Sequence, residues 1–261
     1  MSRALRALPR SIAASGLALA LACATARAPA PAPLPASDPR PAALLASVTR
    51  DAATRRSLRG VARLAIDGPA GAGRAKQILV LERPARLRVE VLGLLDQTLA
   101  VLVTDGARYR VARSQDRSVE AGPVYDALLR DVAGLAVTPE QAVGVLLGAP
   151  FSSDARLERA AQLPGDALRL ELRRDGALER EQLDCDAAGN VQRWALLGAD
   201  GDLLLEARYG DRRPLGGVAF AHEVELRDLR ADASVRIVWS RVELDPVLPP
   251  ELFAVPAEAA R

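Results

Sequence analysis

The 261-residue chain has little that would hold it across a membrane, staple it or let it bind metal. Its N-terminal apolar run, Ile12 to Ala22, falls short of the roughly 20 residues a membrane-crossing helix needs. Only two cysteines occur, Cys23 and Cys185. Histidine occurs once, as His222, which leaves Asp184-Cys185-Asp186 too few partners for a zinc site. Aromatics are limited to two Trp, three Tyr and three Phe, and no aromatic stacking platform is present. Methionine stands only at position 1, beside heavy use of Ala, Leu and Arg, a base-composition pattern without functional content. Nor is charge of either sign in excess. Arg3, Arg6 and Arg10 supply the formal +2; without residues 1–22, 32 basic residues face 33 acidic ones. That balance is no footprint for nucleic acid.

What is present begins with those three arginines. A basic stretch followed by a short apolar run is the pattern of a secretory leader. The run ends in Leu19-Ala20-Leu21-Ala22-Cys23, which resembles the lipobox of bacterial lipoproteins, with Ala20 where Leu is preferred. Residues 1–22 are expected to be a signal peptide and Cys23 the lipidated first residue of the mature chain. Acyl chains on one Cys hold a domain at a membrane, each buried CH₂ adding about 0.8 kcal/mol. Cys185 is then the only thiol left, so no internal disulfide forms. From Ala24 to Ala36 the chain is nearly all Ala and Pro, a composition that stays extended and buries no core. Residues 23–40 read as anchor and tether, and 41–261 as one domain.

Residues 41–56 read as a helix with Leu44, Leu45 and Val48 on one side and Gly60 just beyond. From Leu58 the period becomes alternating. The clearest strands are 58–67, 85–92, 167–174 and 218–227. Weaker ones fit 75–82, 97–104, 107–113, 177–185, 191–197, 203–209 and 235–244. Turn signals such as Asp105-Gly106, Asp175-Gly176 and Gly189-Asn190 separate them. Short connections between alternating strands mean antiparallel neighbours. A sheet of eleven such strands with one apolar face curls until that face is enclosed, giving a barrel or half-barrel. The chain is thus mainly β with inserted helices. Inward positions that would line the trough are Leu64, Ile66, Leu87, Val89, Val91, Leu168, Leu170, Leu172, Phe220 and Val224.

Two helical pieces interrupt the strands. The first, 124–133, carries Leu128 and Leu129 and stops at Gly134. The second opens on Thr138-Pro139-Glu140-Gln141, a capping box with Pro at the first helical position, and stops at Gly148. Leu128 and Leu146 would face the trough as part of a lid.

The order of these features resembles the LolA/LolB superfamily of periplasmic lipoprotein carriers and outer-membrane receptors. The similarity spans about 41 to 256. It rests on Glu82-Arg83-Pro84, the segment Arg86 to Leu92, Leu99 to Asp105-Gly106, Arg108-Tyr109, the helices at 124–147 and the Pro246 to Pro256 tail with Phe253. The resemblance implies an incomplete, half-open antiparallel barrel of eleven strands under an α-helical lid. It implies that Arg83 latches the lid, since a guanidinium can bridge several carbonyls. It also implies that Leu94 or Leu95 forms a membrane-touching loop tip. The ligands would be acyl chains of lipoproteins, delivered by a periplasmic LolA-like carrier to a monomer. The expected location is the periplasmic face of the outer membrane, reached through the lipid anchor, because Ala24 is not the Asp that retains some lipoproteins inside. Few aromatics are available to line the cavity, which is a departure from the family.

No catalytic constellation emerges. His222 lies among apolar neighbours, no G-x-S-x-G elbow surrounds any Ser, and Gly71-Ala72-Gly73 lacks the strand-to-helix context of a phosphate cradle. The chain is read as a binding protein that needs no metal or cofactor. The alternative is an anchored envelope scaffold on the same fold, its trough filled by its own side chains and its partner a protein.

Overall fold

Alternating apolar and polar residues build one continuous sheet, and the computed structural model describes it over residues 31–69, 71–152 and 154–255. The expected leader, Cys23 and the first part of the tether lie outside the described residues, as does Pro256. A two-residue strand β1 (Ala32–Pro33) precedes helix α1 (Pro39–Thr54). A meander follows: β2 (Ser57–Asp67), β3 (Gly73–Glu82), β4 (Arg86–Leu92), β5 (Thr98–Thr104), β6 (Arg108–Arg113) and β7 (Val119–Pro123). Helices α2 (Leu128–Ala133) and α3 (Pro139–Leu146) then cross to a second meander. This consists of β8 (Arg156–Gln162), β9 (Leu168–Arg173), β10 (Arg180–Cys185), β11 (Val191–Leu197), β12 (Leu203–Leu215), β13 (Val218–Asp228) and β14 (Ala233–Leu244).

The strand order is β1-β8-β9-β10-β11-β12-β13-β14-β2-β3-β4-β5-β6-β7. Every ladder is antiparallel, and the seam between the two meanders is the β14–β2 pair, with Ile237 opposite Leu64. The sheet ends at β1 and β7 without closing, an incomplete barrel. All eleven expected strands are present, with three more. β1, β7 and β8 are short or polar segments whose apolar alternation is too weak to read.

Each strand runs between two ends of the sheet. The base holds the start of β2 and the β3–β4 turn, because Ser57 pairs with Glu82. The rim holds the β2–β3 and β4–β5 turns, with Ile66 opposite Gly73 and Lys76 opposite Leu92. The two lid helices form a hairpin over the concave face. α2 follows the base end of β7, the loop 134–137 lies towards the rim, and α3 returns to the base. Gly134 and Gly148, at φ 74° and 70°, end these helices in the left-handed region glycine tolerates. The Thr138 capping box is complete: Gln141 N–H donates to Oγ1 at 3.2 Å, and Thr138 N–H to Gln141 Oε1 at 3.0 Å.

α1 differs from the expected 41–56. It starts earlier, with Asp38 as N-cap accepting from Arg40 N–H at 3.0 Å, and ends at Thr54 with Arg55 as C-cap. Gly60, beyond its end, belongs to β2, within the strand expected over 58–67. A Cβ there would lie 2.8 Å from the Trp239 ring and 2.7 Å from the Arg241 carbonyl, so glycine is what lets the indole lie against the strand.

Candidate functional site

The concave face divides into a filled half and a hollow one. Under α1, strands β9 to β13 carry Leu170, Leu172, Leu183, Trp194, Leu205 and Phe220, all buried and mutually packed. Nearer the seam and across β3 to β6 the inward residues are smaller, including Ala75 and Ala100, and a hollow of about 430 Å³ remains. That volume falls in the range of small-molecule sites. Its walls are Leu64, Ile66, Leu79, Leu87, Val89, Val91, Leu102, Val111, Val235 and Ile237, roofed by Leu129, Val132, Val145 and Leu146 of the lid. Beside Ile66, Gly73, Val132 and Ala133 it meets a shallow cleft between the β2–β3 hairpin and α2, so its mouth is at the rim.

Of the twelve positions expected to line the trough, Leu64, Ile66, Leu87, Val89, Val91 and Leu146 line this hollow. Leu128, Leu168, Leu170, Leu172, Phe220 and Val224 are buried but are not among the residues that line it. Alternation says which side of a strand faces in. Whether space remains in front of it depends on the bulk of the facing residues and on α1.

The base end of the lid is fastened by three side chains. Arg83 donates from Nε to the Arg55 carbonyl at 3.1 Å and from Nη2 to the Ala149 carbonyl at 2.9 Å. Arg55 reaches the Leu147 and Gly148 carbonyls at 3.4 and 3.5 Å, and Tyr209 Oη donates to the Val145 carbonyl at 3.2 Å. Apart from that of Arg55, the C-cap of α1, these are carbonyls in or just after the last turn of α3, where a helix has unpaired acceptors and a partial negative charge. Burial lowers the Arg55 and Arg83 pKa and raises that of Tyr209. Arginine stays charged regardless. Only Arg83 of the three was a candidate in the sequence. Arg55 and Tyr209 bind backbone atoms far along the chain, a contact no local motif announces.

Leu94 and Leu95 stand on a loop, not a strand, since β4 ends at Leu92 and β5 starts at Thr98. Gly93 N–H to Gln97 O at 2.8 Å closes the turn, leaving the two leucines 103% and 88% exposed. This loop is at the rim. So are the exposed Leu99, Val119, Leu178 and Leu229, whereas exposed Tyr125 and Val247 are at the base.

His222 is half-buried, with Nδ1 3.2 Å from the Phe220 carbonyl and its ring edge-on to Phe220. Cys185 is fully buried, and among the described residues no group of His, Cys, Asp or Glu is arranged to hold a metal.

Solved structures supply the comparison. A LolA superfamily protein from Nitrosomonas europaea superposes with a TM-score of 0.57 at 15% identity, covering 81% of this chain and 97% of that one. The fold is LolA/LolB-like. A DUF1329 family protein from Desulfovibrio piger aligns at TM-score 0.58 and 12% identity over 84% and 98% of the two chains. A domain described as an outer membrane lipoprotein-sorting protein, from Vibrio parahaemolyticus, gives 0.52 and 11% over 80% and 95%. No protein-family model matches the chain, and no curated protein does. At these identities the LolA/LolB-like likeness concerns the fold, and the site has to be argued from its own residues.

Proposed function

We propose that this is a bacterial envelope protein that takes an acyl chain into its hollow and helps localise lipoproteins at the outer membrane. The observation that carries the reading is the coincidence of two features at one end of the sheet. The apolar hollow opens at the rim, and the exposed leucines of the 93–97 loop project from the same end. Each CH₂ moved from water into the hollow contributes about 0.8 kcal/mol, enough to hold a chain without any cofactor. Leu94 and Leu95 enter the bilayer surface, and the ligand passes between hollow and membrane. The activity is binding and transfer, not catalysis. Lipidated Cys23 keeps the monomer at the periplasmic face, where a LolA-like carrier supplies its cargo.

The test uses the full chain with Cys23→Ala, purified without detergent. Extraction and mass spectrometry should find acyl lipids bound to it. Replacing Leu94 and Leu95 by Glu should leave melting unchanged but abolish co-flotation with phospholipid vesicles. A protein that carries no lipid and displaces no apolar fluorophore rejects the reading. The filled half of the concave face favours a second reading, an anchored scaffold for a protein partner, and that negative result would support it.

A further inference from the structure

Three polar side chains line the hollow, Arg74, Gln77 and Arg113, and only Gln77 among them is buried. Gln77 is 7% exposed and lines the hollow, and its Oε1 is buried without a hydrogen-bond partner among the described residues. A buried amide atom without a partner is a liability that folded chains rarely keep in an apolar wall. Its position follows from the register. Gln77 pairs with Ala62 on one side and Val91 on the other, Val91 with Ala100, and Ala100 with Arg113. The result is a row that runs from Ala62 of β2 through Gln77, Val91 and Ala100 to Arg113 of β6, with small Ala100 leaving room in the hollow. Arg113 already has Glu120 at 3.8 Å, so its charge is partly answered. Gln77 is not.

We propose that Gln77 recognises a hydrogen-bonding group on a single-chain amphiphile held in the hollow. This deepens the acyl-binding reading and rests on it. At about 430 Å³ the hollow is near the lower end of ligand sites, room for one chain and not a bundle. A primary amide turns its carbonyl or its NH₂ to a partner with equal ease, so the complement is a group that both donates and accepts, a hydroxyl or an amide. The tail lies among Leu79, Val89 and Leu102, and the polar group stops at the depth of Gln77, four residues along β3 from Gly73 at the mouth.

The experiment is a thermodynamic cycle on the full chain with Cys23→Ala. Dodecanol, dodecanamide and dodecane compete with a polarity-sensitive fluorophore for the wild-type pocket, for Gln77→Leu and for the volume-matched Gln77→Met. The expected result is that the affinity ratio of either polar ligand to dodecane falls about tenfold in both variants, the worth of one buried hydrogen bond. Melting temperatures should stay level or rise, since an unpaired group has been removed. An unchanged ratio overturns the proposal; it is also what would be seen if Gln77 turned instead to the buried indole N–H of Trp239, which heads the same row. If none of the three ligands displaces the fluorophore from wild type, the acyl-binding reading itself fails and takes this one with it.

Discussion

Asp228 Oδ2 accepts the backbone N–H of Ala136 at 2.7 Å, which ties the loop between the lid helices to the end of β13. Arg230 Nη2 donates to the carbonyl of the same residue at 2.6 Å, so both sides of Ala136 are gripped. The clip sits at the rim, opposite the fastening made by Arg83.

Asp228→Ala removes the acceptor for Ala136, and also for the N–H groups of Arg230 and Ala231. Three N–H groups lose their partner, and stability should fall by about 1–3 kcal/mol. Hydrogen exchange of residues 134–137 should speed up, while exchange in β9 to β11 changes only with global stability. Equal protection in wild type and variant would remove the clip from consideration.

Arg83→Ala should cost about 2–3 kcal/mol in denaturant unfolding, because two charge-assisted bonds to carbonyls are lost. Arg83→Lys should recover less than half of that, since an ammonium lacks the planar fork that spans the Arg55 and Ala149 carbonyls. Full rescue by Lys would mean that charge alone matters there.

The filled and hollow halves predict opposite responses to one kind of substitution. Leu170 is fully buried among packed neighbours, so Leu170→Ala should destabilise by about 2–5 kcal/mol. Leu64 already faces open space, so Leu64→Ala should cost clearly less while enlarging the hollow. Parallel chemical denaturation of the two variants checks this. Equal losses would contradict the division of the concave face.

The Cys185 thiol is pushed up to about 12, first by burial and then by the charges of Asp184 and Asp186. The native protein with Cys23→Ala should therefore resist maleimide labelling at pH 8 and react only on unfolding. The folded pKa lies above the unfolded value near 9. Its contribution to stability is thus complete below pH 9 and is lost as pH rises towards 12. Rapid native labelling would show that the site opens.

Strand positions and the lid were legible because a period of two, a capping box and glycine stops are local signals. The strand β8 was not, since Arg156, Glu158 and Arg159 break the apolar alternation. The close approach of Trp239 to Gly60 is illegible for a related reason: the two lie far apart in the chain. The site was half legible. Leu64 and Leu170 look alike in sequence, each alternating with a charged neighbour, and only the bulk in front of them separates a wall from a plug. Gln77 was passed over because a single Gln in a strand reads as an outward residue until its register is known.

The β14–β2 seam has a consequence for how the molecule comes into being. Val235 and Ile237 complete the wall begun by Ile66 and Leu64, so the first meander has no partner on its β2 side until the last strand of the second exists. Pairings this distant form late and slowly. During biosynthesis β2 therefore keeps one unsatisfied edge until β14 has been made, and the pocket cannot be walled before then.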